Sequence, residues 1–155
     1  MTTTDVRLGE LPPGSAGELL TLQRAAYVTE AQLHDELRLP ALTQTLDELV
    51  AELAVSRCLG AWLGARLVGS VRTVEDGGEL HVNRLAVAPD LQGVGIGTRL
   101  LLAAEESTSC DRAVLFTGSR SEGNLRLYRR HGYVEERREE IRPGLVVVHL
   151  AKPLC

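Results

Sequence analysis

Apolar residues recur at helical spacing in the first third of the chain. They are Leu19, Leu22, Ala26 and Leu33. Because residues three, four or seven apart share one face of a helix, this spacing predicts one long or broken helix from Ala16 to about Arg38. Thr45 stands three residues before Glu48, and this capping-box pattern predicts that a second helix begins there. The short apolar stretch from Val6 to Leu8 is a candidate first strand.

Strand-like runs fill the middle and the end of the chain, with two helices between them. The predicted strands read RCLGAWLG, RLVGSVRTV, ELHVNRLAVA, AVLFTG, YVEERREEI and LVVVHLA. Gly64-Ala65 joins the first two as a hairpin, and Arg142-Pro143-Gly144 joins the last two. The two helices are predicted from Thr98 to about Ser107 and from Gly123 to His131. This order predicts a mixed sheet with helices on both faces, in a single domain spanning residues 1–155.

Composition refines the expected core and surface. The chain has 155 residues, of which 44% are hydrophobic, 25% are charged and only 3% are aromatic. Leu, Val and Ala must therefore fill most of the core, and Trp62 and Phe116 are predicted to join them. Charged residues alternate in sign from Glu135 to Glu140, which predicts a solvated edge strand that resists pairing with other chains.

Charge, cysteines and histidines exclude several classes of protein. The formal net charge of −4 argues against a nucleic-acid or anionic membrane surface, so neither partner is expected. Cys58, Cys110 and Cys155 are odd in number and far apart, as reduced cytoplasmic thiols are. The first ten residues lack the pattern of a secretory signal, so a cytoplasmic location is expected. No histidines stand at metal-ligand spacing, so no metal is expected.

A glycine-rich segment lies between a predicted strand and a predicted helix. It is the stretch LAVAPDLQGVGIGTRLL, which begins at Leu85. Gly93, Gly95 and Gly97 remove three side chains where backbone N–H groups and the positive end of a helix dipole converge. Such a loop predicts a binding site for an anion, typically pyrophosphate, and the alternative is a tight turn without a ligand.

Two common phosphate-binding motifs do not match this segment. A P-loop requires Gly-Lys-Ser/Thr, whereas the chain has Gly97-Thr98-Arg99. The dinucleotide fingerprint G-x-G-x-x-G, counted from Gly93, requires a glycine where the chain has Thr98. These mismatches weaken the reading of the chain as another class of nucleotide-binding protein.

The spacing Gln92-x-x-Gly95-x-Gly97, after Leu-Ala-Val and Pro89, resembles the pyrophosphate-binding motif of the GNAT superfamily of acyl-CoA N-acyltransferases. Downstream, Asn124-x-x-x-Tyr128-x-x-x-Gly132-Tyr133 resembles the next helix of that family. The resemblance covers nearly the whole chain. It implies an α/β fold with a mixed, mostly antiparallel sheet of six to seven strands. Helices would cover both faces, and the sheet would splay at the acyl-CoA cleft.

The resemblance also implies which residues bind acetyl-CoA. Three residues of the strand before the loop would pair with pantetheine through their backbone: Leu85, Ala86 and Val87. One of their N–H groups would stabilise the developing oxyanion. The pyrophosphate would be held by the backbone of Gln92, Gly93, Val94, Gly95, Ile96, Gly97 and Thr98. Asn124 would hydrogen-bond the cofactor, and Arg99 and the pair Arg129-Arg130 are candidates for the 3′-phosphate.

Acid and base catalysis follow from the same family pattern. Tyr128 would donate a proton to the departing thiolate, which suits a phenol that keeps its proton at neutral pH. His81 would be the base, with Glu79 second, because both alternate onto the strand face of Leu85. At the position of His81, histone acetyltransferases of this family carry a glutamate, and serotonin N-acetyltransferase, another member, carries a histidine. Deprotonation by water alone stays open.

These features together imply an N-acetyltransferase that transfers an acetyl group from acetyl-CoA to a primary amine by direct attack in a ternary complex. No cysteine lies at the motif, and no covalent acyl-enzyme is needed. The alternative is a non-catalytic acyl-CoA-binding or regulatory domain. The acceptor, a small molecule or a peptide, stays open, as do a longer acyl donor and a homodimer. The acidic stretch from Thr29 to Glu36 would suit a cationic amine.

Overall fold

A computed structural model of the chain describes residues 5–154, so Cys155 lies outside the described residues. The strands are β1 (Val6–Glu10), β2 (Arg57–Leu63), β3 (Arg66–Asp76), β4 (Glu79–Val87), β5 (Arg112–Gly118), β6 (Val134–Arg142) and β7 (Leu145–Pro153). The helices are α1 (Ala16–His34), α2 (Pro40–Thr43), α3 (Leu46–Ala54), α4 (Ile96–Glu106) and α5 (Glu122–Arg130). A short 3₁₀ turn, Pro89–Leu91, separates β4 from the glycine loop.

The first helical region is broken, which is one of the two alternatives predicted from the sequence. Asp35 adopts a left-handed φ of 47°, and the backbone N–H of Glu36 closes the end of α1 on the Ala31 carbonyl at 3.0 Å. The helix therefore ends at His34 rather than near Arg38. Pro40 then begins α2, where its missing N–H costs no hydrogen bond.

The capping box of α3 is confirmed. The Glu48 backbone N–H donates to the Thr45 hydroxyl at 3.2 Å, and the Glu48 carboxylate accepts the Thr45 N–H at 2.8 Å. Two N–H groups that the helix cannot satisfy internally are thereby paired.

The seven strands form one sheet in the order β1-β2-β3-β4-β5-β7-β6, and only the β4–β5 pair is parallel. On β3, a Cβ on Gly69 would meet the Ile96 and Leu100 side chains of α4. Three residues further along the strand, the Arg72 guanidinium donates to Gln23 of α1 at 2.6 Å. Because side chains alternate across a strand, α1 and α4 lie on opposite faces of the sheet. The prediction of a mixed, mostly antiparallel sheet with helices on both faces is confirmed.

The sheet opens between its two central strands. β4 pairs with β5 only over Glu79–His81, opposite Arg112–Val114, and the two strands then separate. On its other side, β4 pairs with β3 through Asn83 opposite Arg72 and Ala86 opposite Ser70. Between these two pairs β4 has two residues and β3 has one. This bulge contains Arg84, with φ of 52°. The splay that the family resemblance implies is therefore present.

Two predictions about burial have opposite outcomes. Trp62 is buried in the core. Phe116 is instead 51% exposed, and it lies beyond the part of β5 that pairs with β4. The charged run from Glu135 to Glu140 is exposed along β6, and β6 is an edge of the sheet, as predicted. None of the helices in residues 5–154 is both long and apolar enough to cross a membrane.

Candidate functional site

Two cavities flank the gap between β4 and β5, and they share four residues. The first, the loop cavity, has a volume of about 450 Å³ and is lined by residues of α1, the end of β4, the glycine loop and α5. The second, the hairpin cavity, has a volume of about 300 Å³ and is lined by α1, β4, β5 and the β6–β7 hairpin. The shared residues, here called the junction, are Tyr27, Glu30, Leu85 and Asn124.

A larger hollow of about 720 Å³ lies elsewhere, between the β1–α1 connection and α3. Its charged residues Glu10 and Arg57 pair with each other at 2.9 Å. None of the predicted site residues lines it. The two cavities at the gap therefore form the better candidate site.

The glycine loop has the geometry of an anion site. Gly93 and Gly95 have φ of 80° and 94°, values that side chains make costly. Gly95 is the N-cap of α4 and provides no side-chain cap, and the first helical bond joins the Arg99 N–H to the Gly95 carbonyl at 3.1 Å. The N–H groups of the first turn, at residues 96–98, therefore have no acceptor within the helix and carry the positive end of its dipole.

The helix begins at Ile96, two residues before the predicted start at Thr98. Because of this shift, Gly97 lies inside the first turn, where a Cβ would have 3.7 Å to its nearest neighbours. Six of the seven predicted loop residues line the loop cavity, and the exception is Val94, whose side chain is exposed.

The end of β4 presents alternate backbone groups to the gap. The Ala88 N–H donates to the Val68 carbonyl of the β3 side at 2.8 Å. In an antiparallel pair, bonding alternates, so the backbone of Ala86 also faces β3, whereas Leu85 and Val87 face the gap. Consistent with this, the Leu85 carbonyl accepts the Tyr27 hydroxyl at 3.5 Å and the Val87 carbonyl accepts the exposed Gln92 amide at 3.3 Å. The predicted role of Ala86 in pairing with pantetheine does not fit this alternation.

Tyr128 lies buried on α5 and lines the hairpin cavity. Its ring packs edge-on against Tyr133, with 5.9 Å between the centroids. Among residues 5–154, its hydroxyl makes no hydrogen bond, and burial is the main cause that raises its pKa, with the nearby Tyr27 and Glu30 adding to the effect. A neutral, unpaired phenol beside a cavity is a proton donor available to a ligand.

Glu30 is held at the junction by two residues of the β5–α5 region. The Ser121 hydroxyl, which is buried, donates to one carboxylate oxygen of Glu30. The Asn124 amide lies 3.5 Å from the other oxygen and 3.2 Å from the Thr117 hydroxyl. The carboxylate is therefore oriented rather than free to rotate, and it borders both cavities.

His34 stands one helical turn after Glu30 and is committed to the backbone. Its Nδ1 donates to the Glu30 carbonyl at 2.9 Å, and its Nε2 accepts the Arg120 N–H at 3.1 Å. Since a carbonyl can only accept and a backbone N–H can only donate, Nδ1 carries the proton and Nε2 does not, which is the neutral Nδ1–H tautomer. Gly118 leaves room for the ring, because a Cβ there would lie 2.2 Å from it.

His81 and Glu79 do not line either cavity. They lie in the part of β4 that is paired with β5, where the His81 Nε2 is 3.7 Å from Glu79 and Glu79 pairs with Arg112 at 3.1 Å. The structure thus separates these two predicted bases from Tyr128 and the loop. Within residues 5–154, no three His, Cys, Asp or Glu side chains are grouped as a metal ion would need.

Arginines near the loop cavity differ from those predicted. Arg99 reaches away from the loop and donates to the Val6 carbonyl at 2.8 Å, and Arg129 pairs with Glu135 at 3.6 Å. Arg130 does line the loop cavity, together with Arg126 one helical turn earlier. Their spacing of four residues on α5 was the available sequence signal for Arg126.

Besides Arg126, the cavity residues Tyr27, Glu30 and Arg84 escaped the sequence analysis as site residues. Tyr27 and Glu30 lie on α1, whose distance from the glycine loop in the chain hides the contact. Arg84 is named in no motif used above. The acidic stretch from Thr29 to Glu36 was the one signal that pointed toward this part of α1.

Comparisons with known proteins agree with this arrangement. A family model described as acetyltransferase (GNAT) domain matches residues 31–154. Among curated proteins, no significant match to the sequence was found.

Solved structures resemble the chain over nearly its whole length. A GNAT-family acetyltransferase from Streptococcus pneumoniae has 20% identity and a TM-score of 0.75, covering 96% of this chain and 99% of its own. The ribosomal-protein-S18-alanine N-acetyltransferase of Escherichia coli has 14% identity and a TM-score of 0.78, with 96% and 94% covered. The PaiA N-acetyltransferase of Thermoplasma acidophilum, solved in complex with coenzyme A, has 18% identity and a TM-score of 0.70, with 96% and 98% covered. At these identities the likeness concerns the fold.

Proposed function

Because the chain belongs to the GNAT acetyltransferase family, we propose that it transfers an acetyl group from acetyl-CoA to a primary amine by direct attack in a ternary complex. The observation that carries the proposal is the junction, where a cavity lined by an anion-binding loop meets a second cavity lined by a buried phenol. A donor entering by the loop cavity and an acceptor entering by the hairpin cavity would meet at the gap in the sheet.

The residues of the loop cavity fit acetyl-CoA in three respects. The uncapped N–H groups at residues 96–98 suit a pyrophosphate. The gap-facing groups of Leu85 and Val87 suit the amides of pantetheine, and one of their N–H groups would donate to the acyl oxygen. The guanidiniums of Arg126 and Arg130 suit further phosphate oxygens. When bound, acetyl-CoA supplies an acetyl group activated as a thioester. The likeness of this chain to a relative solved with coenzyme A supports the assignment of this cavity to acetyl-CoA.

Tyr128 is the proposed acid. Its hydroxyl would give a proton to the departing sulfur, and the second proton of the amine nitrogen, released as the amide forms, would restore the phenol. The raised pKa of Tyr128 ensures that its proton is present throughout the neutral range. The burial that raises the pKa of the phenol would also raise the pKa of a thiol in the same place. Because burial raises both pKa values, it does not by itself disfavour proton transfer from Tyr128 to the sulfur.

Glu30 is the proposed group that receives the proton of the incoming ammonium. Its carboxylate is oriented by Ser121 and Asn124 at the junction, whereas His81 and Glu79 lie outside both cavities. A carboxylate at this position attracts the cationic form of the amine and accepts its proton directly or through one water molecule.

The test combines binding and turnover. Acetyl-CoA binding is measured by calorimetry, with NAD and ATP as competitors, and thiol release is measured over a panel of primary amines. We expect acetyl-CoA to bind, neither nucleotide to displace it, and at least one amine to be acetylated. Binding without turnover on any amine would favour the non-catalytic acyl-CoA-binding alternative, and displacement by NAD or ATP would contradict the assignment of the loop.

A further inference from the structure

Arg84 is a charged residue of the hairpin cavity that the proposed reaction does not use. It occupies the β4 bulge at the mouth of the gap, with φ of 52°. Among residues 5–154, it and the helix-capping Asp35 are the only non-glycine residues with positive φ. A side chain in this backbone conformation is strained, and such strain concentrates at functional positions.

The Arg84 guanidinium has no counterion among the described residues. Its Nε is buried and has no hydrogen-bond partner in residues 5–154. The other two arginines of the cavity share one carboxylate, because Glu36 pairs with Arg38 at 3.2 Å and with Arg142 at 3.3 Å. Arg84 is therefore the arginine of this cavity that has no carboxylate partner among the described residues.

A second guanidinium, that of Arg72, interacts electrostatically with Arg84. Arg72 is buried, pairs with Glu52 at 3.4 Å and donates to Gln23. Burial lowers the pKa of Arg72, and the positive charge of Arg84 lowers it further. Because like charges repel, an anion bound to Arg84 would relieve this repulsion.

A negative charge borders the same cavity. Glu30 lies at the junction, where the amine must arrive, and His34 is the neutral tautomer held by the backbone. The remaining lining is largely apolar and includes Leu39, Pro40, Val82, Phe116, Ile141 and Val147. The cavity thus offers a carboxylate, a guanidinium without a carboxylate partner and an apolar wall.

Building on the proposed function, we propose that the acceptor is a free amino acid with an apolar side chain, whose amine faces Glu30 and whose carboxylate binds Arg84. Arginine suits this task because its planar fork can hold both oxygens of a carboxylate. The cavity volume of about 300 Å³ is at the lower end for small-molecule sites, which fits a compact acceptor.

The experiment compares amines that differ only in the carboxylate. L-leucine, L-phenylalanine and L-methionine are each assayed against their carboxamides by thiol release with acetyl-CoA. The measured quantity is the ratio of kcat/KM for the acid to kcat/KM for its carboxamide. We expect a ratio of roughly 30 or more for at least one pair, as for the loss of one partner of a buried charge pair. The carboxamide also represents the amino terminus of a peptide.

Three arginine variants separate recognition from folding. Arg84→Met keeps a side chain of similar length and the same backbone strain, and we expect it to reduce the ratio to about 1–3. Arg84→Lys keeps a point charge and is expected to retain part of the preference. Arg137→Met is the matched control, because Arg137 lies on the exposed edge strand β6 outside both cavities. It should leave the ratio unchanged.

Binding of the amino acid without acetyl-CoA provides a readout that does not depend on turnover. Calorimetry with L-leucine and leucinamide should show a preference for the acid in the wild-type protein and none in Arg84→Met. Acetylation of carboxamides as fast as of acids, or an unchanged ratio in Arg84→Met, would overturn the amino-acid assignment while the acetyltransferase proposal stands. Absence of acetyl-CoA binding would instead overturn the proposed function, and the calorimetric preference for the acid would still decide the role of Arg84.

Discussion

The side-chain amide of Asn124 on α5 points at the carboxylate of Glu30 on α1, with 3.5 Å between Nδ2 and Oε1. These residues are 94 positions apart in the chain and meet above the gap where β4 and β5 separate. The contact fixes the carboxylate at the junction of the two cavities. Because the amide of Asn124 is also tied to Thr117 of β5, the position of Glu30 is set by the sheet as well as by the helices.

Glu30→Gln keeps the size of the side chain and removes its negative charge. If Glu30 takes the proton of the acceptor, we expect kcat/KM at neutral pH to fall by about 100-fold, the usual magnitude for a lost general base. His81→Gln, measured in parallel, should change kcat/KM by less than about threefold, because His81 lies outside both cavities. The reverse pattern, with a large loss for His81→Gln, would restore the sequence-based choice of base.

Gly95→Trp should abolish acetyl-CoA binding measured by calorimetry. The bulky side chain would occupy the space over the uncapped N–H groups of α4 and would also strain a backbone with φ of 94°. Gly77→Trp is the matched control, since Gly77 has φ of 60°, has no atom within 4 Å of an added Cβ and lies in the β3–β4 turn. Equal affinity in the two variants would refute the assignment of the loop as the pyrophosphate site.

Tyr128→Phe removes one hydroxyl from the hairpin cavity. We expect turnover to fall by about 100-fold or more if Tyr128 protonates the leaving thiolate, with acetyl-CoA affinity changed little. Tyr133→Phe is the control, because the Tyr133 hydroxyl donates to Glu105 at 2.7 Å and serves packing rather than either cavity. Normal turnover in Tyr128→Phe would remove Tyr128 as the acid.

Glu36 joins the end of α1 to the β6–β7 hairpin, and its contribution to stability should depend on pH. The backbone N–H of Arg38, first among several causes, holds the pKa of Glu36 below its usual value near 4.3. A carboxylate with a lowered pKa in the folded state stabilises the protein above its unfolded pKa, and this stabilisation is lost as the pH falls through the folded pKa.

The thermal unfolding midpoint of Glu36→Gln should therefore lie below that of the wild-type protein at pH 7. The difference should shrink as the pH falls from the ordinary carboxyl pKa of about 4.3 through the lower pKa of the folded state, where Glu36 becomes protonated. Glu106→Gln, at the exposed end of α4, is the control and should show a small difference at every pH. A deficit that persists unchanged into acid would show that Glu36 acts through packing and not through its charge.

Features that depend on a few neighbouring residues were predictable from the sequence. The capping box of Thr45 and Glu48 is one, and the glycine loop is another, because left-handed φ values at Gly93 and Gly95 are a local demand of the backbone. The charged edge of β6 also follows from its own residues. In each case the physical cause lies within a few positions of the chain.

Features created by the splay were not predictable in the same way. Strict alternation along β4 places His81 on the face of Leu85, but the bulge at Arg84 interrupts that alternation. Phe116 reads as a core residue, yet β5 loses its β4 neighbour before reaching it. The importance of Tyr27 and Glu30 arises only when α1 crosses the gap, which no local pattern encodes.

The three paired positions between β4 and β5 leave the central ladder of the sheet incomplete over the rest of both strands. A ligand with amide groups lying in that opening would continue the ladder, so the ligand and the protein backbone would hydrogen-bond to each other as neighbouring strands do. The free energy of unfolding should then rise with the logarithm of the ligand concentration once that concentration exceeds the dissociation constant. Amide hydrogen exchange at Leu85 and Val87 should slow in the same concentration range, making these two positions internal reporters of occupancy.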